Sequence, residues 1–328
     1  MPMTSDKRFD AIAAKCRRHM DGHVVENADL RLYSRWRVGG TARIVAEPAS
    51  AGGLRELLAT LAKVDCPKVV VGDGSNILFD DAGFEGVVIR IGRSLGALKI
   101  EGQNVSVEAG LWVPRFARAV GSAGLTGLEH VIGIPGTLGG LIVMNGGSQR
   151  KGVGDHLVHV ECADWNGIRH SFTRAECRFG YRHSILQERR LMVLSASFAF
   201  ERGEVGAIRR AMIDIMASRR RKFPKNYPNC GSVFLSDPAM YDMVGPPGRA
   251  IEAAQLKGVR KGDAQISPLH TNFIVNLGNA SSADILWLIH LARTKVFEQT
   301  GFRMDCEVRH IAPDGRVRMA HETADETL

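Results

Sequence analysis

GLTGLEHVIGIPGTLGGLIVMNGG, residues 124–147, decides how the rest of the chain reads. The stretch is apolar enough to be buried, yet it sets glycines beside Pro135, Thr137 and Asn145. Glycine weakens a plain strand or helix, and its return is backbone at positive φ and close approach to a ligand. The reading is a phosphate-bearing ligand lying against bare backbone amides. Its two halves are Ile134, Pro135, Gly136, Thr137, Leu138, Gly139 and Gly140, then Met144, Asn145, Gly146 and Gly147. They form two glycine loops, and tight helix-on-sheet packing is the structural alternative.

A third loop lies upstream. The β-branched run 68–71 reads as a short buried strand that empties into Gly72, Asp73, Gly74, Ser75 and Asn76. Consecutive N–H groups with small polar side chains suit an anion-binding nest. No crossover helix follows, because 77–92 reads as a turn and another strand, so the dinucleotide fold with its third glycine is disfavoured. No Gly-Lys-Ser/Thr follows any glycine run either, which removes the nucleotide-triphosphate loop. Three glycine loops in one region point to a long ligand with a diphosphate.

The remaining elements follow from periodicity. An amphipathic helical arm is expected over 1–21, and helices over 51–63, 112–123, 205–220, 249–256 and 281–300, the last with an N-cap serine. Gly39 and Gly40 interrupt a strand-like run directly after Arg37, which suggests a close backbone approach. A hairpin is expected over 157–172 with its turn at Trp165, Asn166 and Gly167, and a long strand over 191–200. The final strand is expected over 303–311, with Asp305, Glu307 and Arg309 on one face. Residues 315–328 are polar and expected to be disordered.

Composition bounds the function. The chain has 328 residues, 45% of them hydrophobic, which suffices for two or three globular units. The net charge of +8 allows an anionic partner. One basic knot stands out, Arg219 to Lys222 with Lys225 beyond, but no nucleic-acid motif accompanies it. Six isolated cysteines show no CxxC pairing, so neither a metal ribbon nor a redox pair is signalled. No apolar run reaches transmembrane length, and a soluble cytoplasmic protein without membrane insertion is expected.

These segments together resemble a known family. RVGGTA (37–42), VVGDGSN (70–76), GFEGVVI (83–89), the opening stretch, FGYRHS (179–184), NCGSVF (229–234), LKG (256–258), AQISPLHTNFIVN (264–276) and EV (307–308) occur in order. The likeness is to the UDP-N-acetylenolpyruvoylglucosamine reductases, the MurB flavoenzymes of peptidoglycan synthesis, in their shorter type II form. It implies an α+β chain with an FAD-binding domain of the vanillyl-alcohol-oxidase (PCMH-type) fold in two lobes, then an α/β C-terminal substrate-binding domain. The corresponding segments are an arm 1–21, lobes 22–91 and 92–203, a substrate domain 204–314 and the tail 315–328.

What the resemblance implies for chemistry is reduction of FAD by NADPH, then hydride transfer from flavin N5 to the enolpyruvyl C3 of UDP-N-acetylglucosamine enolpyruvate, with a proton to C2. It assigns Arg182 and Glu307 to the substrate carboxylate and Ser232 to the proton. Arg37, Gly72–Asn76, Ile134–Thr137, Gly139, Gly140 and Asn145–Gly147 fall to the cofactor. Tyr181, Lys222, Lys225, Asn229, Gly231 and His270 fall to the substrate, with no metal and a monomeric protein. The chain departs from the pattern at Ser148-Gln149, at Leu235-Ser236 and in a longer 239–248 segment. A paralogous flavin reductase for a related nucleotide sugar is therefore the second reading. A non-catalytic flavin sensor is a third, against which the joint retention of Arg182, Ser232 and Glu307 argues.

Overall fold

A computed structural model describes residues 5–327, and its residues group into two compact units. The first comprises Met1–Glu26, Ile44–Asp73 and Val87–Arg219; the second comprises Asn27–Arg43, Gly74–Gly86 and Arg220–Leu328.

The first unit is built on a five-stranded antiparallel sheet in the order Arg169–Thr173, Leu157–Ala163, Met192–Ala199, Asn104–Glu108, Leu98–Glu101. Hydrophobic alternation along Asn104–Glu108 buries Val105 and Val107 and exposes Asn104 and Ser106. Helix Val113–Ser122 starts with proline in its first turn and lays Phe116, Ala117 and Val120 into the core, where Phe116 meets Phe198 at 5.3 Å between ring centroids. This unit also holds most of a four-stranded sheet, in the order Gly22–Asp29, Thr41–Pro48, Phe84–Arg90, Lys68–Val71, whose last two strands are parallel. The expected N-terminal arm is helix Ser5–His19, and Phe9, Ile12, Ala13 and Cys16 pack in one cluster with Leu54, Leu57, Leu58 and Leu61 of helix Ala51–Ala62. Residues 1–4 of that arm lie outside the described residues.

The second unit has its own core, centred on Trp36, Met240, Ile251, Ile285, Ile289 and Val296. Two three-stranded sheets border it: Arg260–Lys261, Ala264–Ile266, Ile274–Asn276, and Val317–Met319, Arg309–Ile311, Ile77–Phe79. Residues 27–43 and 74–86, read from sequence as part of the first FAD lobe, group with the C-terminal residues. The reason is Trp36, fully buried, whose indole N–H donates to the Ile274 carbonyl at 2.7 Å while its own carbonyl accepts from Asn276 at 2.9 Å. Helix Ser282–Thr300 carries the expected N-cap at Ser281, whose hydroxyl accepts from Asp284 N–H at 3.0 Å, with the Asp284 carboxylate reciprocating. Ser281→Ala is expected to lower unfolding stability by about 1 kcal/mol, read as a shift in the urea midpoint without a change in slope.

Two sequence expectations are corrected. Residues 303–308 are not a strand: Leu235 N–H donates to Asp305 and Glu307 N–H to Val233, both through carbonyls, and only Arg309–Ile311 joins a sheet. The chain changes pairing partner at residue 308, so Asp305, Glu307 and Arg309 do not share a strand face. The tail expected to be disordered forms strand Val317–Met319 and helix Ala320–Thr327. Its few apolar side chains are well placed, since Ala320 and Ala324 are fully buried in the second core. Among the described residues, no helix is long and apolar enough to cross a membrane.

Burial lowers the pKa of His130, His270, His310 and His321. At His310 the facing Asp80 carboxylate, 3.3 Å away, opposes the shift but burial prevails. A depressed histidine pKa gives stability that is complete above the unfolded value of about 6.5 and is lost as pH falls toward the folded value. The urea midpoint should therefore drop between pH 7 and pH 5.5, above the range where the carboxylates titrate. A midpoint that is flat or rising over that interval would contradict the assignment of these rings as buried and neutral.

Candidate active site

Two of the predicted glycine loops converge in the first unit. A pocket there is lined by Gly72 and Asp73 after strand Lys68–Val71, by Arg90 at the end of strand Phe84–Arg90 and Gly92 beyond it, and by Gly110 and Thr137. Bare backbone makes this pocket possible. A Cβ on Gly72 would collide with the Thr137 hydroxyl, and one on Gly110 with the Gly92 carbonyl. Thr137 is the N-cap residue of helix Leu138–Val143 yet makes no side-chain cap bond. Gly136 takes φ +147°, with its carbonyl accepting from Val113 N–H at 3.0 Å, and Gly139 N–H donates to Ala109 at 2.7 Å. A cradle walled by glycine backbone, with an arginine and a hydroxyl in its lining, has the chemistry to meet a phosphate. Ile134 and Pro135 flank this loop half-buried, and Gly140 is exposed at the helix start. Arg90, Gly92 and Gly110 were missed from sequence, although a glycine two residues past a strand end, in RIG and EAG, was an available signal.

Arg182 projects from a tight turn in the same unit. Gly180 and His183 form a two-way bridge, and Arg182 sits at φ +54°, strained for a residue with a side chain. Its Nη2 donates to the Gly147 carbonyl at 3.3 Å, and its guanidinium lies 5.1 Å from the centroid of the Tyr181 ring. The turn is braced from two sides. Asn145, itself at φ +42°, donates from Nδ2 to Gly180 at 2.9 Å and accepts from Gly154 N–H at 3.1 Å. Gln187 Nε2 donates to the Arg182 carbonyl at 3.0 Å and to Val143 at 2.9 Å. Both ends of the Asn145 amide are thus engaged within the protein, and Gln187 is a support that sequence reading missed. Gly146 and Gly147 are buried beneath this turn's partners, a Cβ on Gly147 colliding with the Lys151 carbonyl. Ser148 donates to the His130 carbonyl at 2.6 Å, so this unusual residue serves to tie the glycine stretch to itself.

In the second unit the Ser232 and Glu307 segments run side by side. Phe234 and Cys306 form an antiparallel bridge, and Glu307 N–H donates to Val233 at 2.8 Å. Asn272, buried and missed from sequence, grips Phe234 through both amide ends, accepting from its N–H at 2.9 Å and donating to its carbonyl at 3.0 Å. Ser232 and Glu307 are each half-buried. Gly231 takes φ +83°, and the turn before Ser232 is held by Asn229, which donates to Pro224 and Tyr227, both at 2.9 Å, and accepts from Gly231 at 3.1 Å. Asn76 donates from Nδ2 to the Glu307 carbonyl at 3.0 Å, so within 72–76 this amide braces the 304–308 segment. Gly74, at φ +65°, fits against Tyr33, and its carbonyl accepts from Arg35 N–H at 3.1 Å beside half-buried Ser75. Arg37, exposed and at φ +55°, follows the buried Trp36.

The substrate candidates here are less uniform. Lys222 and Lys225 are exposed. His270 packs against Phe223 and Phe273 at 5.3 and 4.9 Å, and burial keeps its imidazole neutral. Cys230 and Cys306 are buried: Cys230 donates weakly to Gly74 and Ile77, and burial raises the Cys306 thiol far above its ordinary value. Both behave as small apolar side chains. No group of His, Cys, Asp and Glu suited to a metal occurs among the described residues.

Residues 42–173 match a model described as FAD binding domain, and residues 223–311 match UDP-N-acetylenolpyruvoylglucosamine reductase, C-terminal domain. The chain is 46% identical over 320 residues to UDP-N-acetylenolpyruvoylglucosamine reductase 1 of Corynebacterium glutamicum, covering 98% of this chain and 96% of that one. It is 36% identical to the reductase of Halalkalibacterium halodurans, covering 88% and 95%. The crystal structure of UDP-N-acetylenolpyruvylglucosamine reductase from Thermus caldophilus is similar at a TM-score of 0.73 and 31% identity, over 88% of this chain and 98% of that one.

Proposed function

Because the chain belongs to the UDP-N-acetylenolpyruvoylglucosamine reductase family, an FAD-dependent oxidoreductase family, we propose that Arg182, Ser232 and Glu307 carry its reduction of UDP-N-acetylglucosamine enolpyruvate to UDP-N-acetylmuramate. NADPH is the reductant in this reading, and the protein works as a cytoplasmic monomer. FAD, when bound, supplies a two-electron carrier that takes hydride from NADPH and delivers it to the enolpyruvyl C3. The first unit is the FAD domain, with the Gly72–Asp73 and Ile134–Gly140 loops holding its diphosphate and ribose. Asn145–Gly147, Gly74–Asn76 and Arg37 would complete the set of residues that hold the cofactor.

Addition of hydride at C3 leaves negative charge at C2 and on the adjoining carboxylate. Arg182 meets that charge with a guanidinium whose direction is set by its strained turn. Glu307, in its protonated form, donates a hydrogen bond to the same carboxylate, which requires the carboxyl to stay neutral in the substrate complex. Ser232 delivers a proton to C2 by position, since a serine hydroxyl is a poor acid and the carbanion-like intermediate is strongly basic. Lys222 and Lys225 meet the substrate diphosphate, and Tyr181, Asn229, Gly231 and His270 shape the substrate site.

The observation that supports this reading most is the backbone pairing of the Ser232 and Glu307 segments, reinforced by Asn272 and Asn76, in a chain of this family. Oxidation of NADPH by the FAD-loaded protein should depend on added UDP-N-acetylglucosamine enolpyruvate and yield UDP-N-acetylmuramate in equal amount. Faster turnover of a different enolpyruvyl or keto nucleotide sugar would transfer the assignment to a paralogous pathway.

A further inference from the structure

The mechanism leaves one cluster unexplained. Around residues 304–308 the C-terminal helix Ala320–Thr327 contributes a set of contacts that a mere end-cap would not require. Cys306 N–H donates to His321 Nδ1 at 2.9 Å, and His321 Nε2 faces the Asp305 carboxylate at 3.4 Å. Ala320 N–H donates to the Val308 carbonyl at 2.9 Å. Arg293, nine-tenths buried, donates from Nε to the Met304 carbonyl at 2.6 Å, lies 3.6 Å from Asp305 and pairs with Asp325. The segment is therefore held on its far side by the C-terminal helix and on its near side by Val233, Leu235 and Asn76.

We propose that His321 is a positioning residue for Glu307, holding the backbone that carries its carboxyl by accepting the N–H of the preceding residue, Cys306. The inference rests on the reading of Glu307 as the carboxyl that meets the substrate. Cys306 has no exposed surface, so its N–H has no water to turn to if the imidazole is lost. The ring must be neutral at Nδ1 to accept this bond, which leaves the proton on Nε2 facing Asp305. Burial, assisted by Arg293, favours that neutral form, while Asp305, Glu322 and Asp325 oppose it. Without the bond, the peptide joining Asp305 to Cys306, one residue before Glu307, loses a restraint on the backbone that carries the carboxyl. A displacement near 1 Å at a reacting group costs as much as about 100-fold in rate. The C-terminal helix, absent from the sequence expectation, thereby becomes part of the catalytic support.

The test uses FAD-loaded full-length protein and follows the two anaerobic half-reactions separately. His321→Ala should keep its flavin and its rate of bleaching by NADPH, and should be reoxidised by UDP-N-acetylglucosamine enolpyruvate roughly 10-fold more slowly. His321→Asn, whose Oδ1 can take the place of Nδ1, should recover most of that loss, and His321→Gln, whose amide reaches toward Asp305 instead, should not. If His321→Ala fails to fold, the Asn against Gln comparison decides the question by the same ratio. Equal reoxidation in the Asn and Gln variants, or equal slowing of both half-reactions, overturns the proposal. Glu307→Ala, which leaves no hydrogen-bond donor at residue 307, is run alongside. If it too leaves reoxidation unchanged, the reading of Glu307 itself falls; if it slows reoxidation while His321→Ala does not, only the positioning role falls.

Discussion

Ser232→Ala is expected to leave bleaching of the flavin by NADPH at its normal rate and to slow reoxidation by UDP-N-acetylglucosamine enolpyruvate by on the order of 10² or more. The substitution removes one oxygen and little else. Ser232 is half-buried, and the turn before it is shaped by Gly231 at φ +83° and by three hydrogen bonds of Asn229. Val233 and Phe234 beyond it are gripped by Asn272. The backbone that presents residue 232 should therefore be unchanged by alanine, and what is lost in the proposed mechanism is the proton for C2. NADPH oxidation requires no such proton, so the two half-reactions should part. Equal slowing of both would point to a disturbed flavin environment and remove Ser232 from its role.

Gly72→Val should yield a folded protein that binds FAD about 10- to 100-fold more weakly, corresponding to an overpacking cost of about 1–3 kcal/mol. A side chain at residue 72 meets the Thr137 hydroxyl at once, and Thr137 cannot simply move away. Its chain bridges Trp112, and the neighbouring Gly139 N–H is bonded to Ala109. The clash falls on the wall of the pocket proposed to hold the cofactor. Gly102→Ala supplies the control, because Gly102 sits at φ +65° in a hairpin turn with open space around its Cα. That substitution strains the backbone and should lower stability, yet it should leave the FAD affinity unchanged. Equal flavin loss in both variants would show that general destabilisation accounts for it. Both measurements are fluorescence titrations of the apoprotein with FAD.

The residues that reveal themselves in sequence are those whose backbone does something a side chain would forbid. Gly72, Gly136 and Gly139 stand out because glycine is costly in buried elements: Gly72 lines the pocket, and Gly136 and Gly139 tie the loop around Thr137 to Val113 and Ala109. The strand ending at Val71, the hairpin turning at Gly167 and the helix capped by Ser281 are equally legible, since each rests on local periodicity and local caps. Long-range pairing is not local, and here sequence reading runs out. Nothing near residue 306 announces that it pairs with Phe234 rather than continuing a strand, and nothing near Trp36 announces that its indole bonds to Ile274, 238 residues away. Asn272 and Gln187 likewise look like ordinary surface amides until their partners are known. The tail shows the same limit. Two buried alanines and one histidine dock helix Ala320–Thr327, a pattern too sparse to distinguish from a polar disordered end.

Anaerobic titration of the FAD-loaded protein tests the central claim most directly. One equivalent of NADPH should bleach the flavin absorbance, and UDP-N-acetylglucosamine enolpyruvate added without oxygen should restore it stoichiometrically. A flavin that stays bleached when that substrate is added, or a protein that cannot be loaded with FAD at all, would contradict the account.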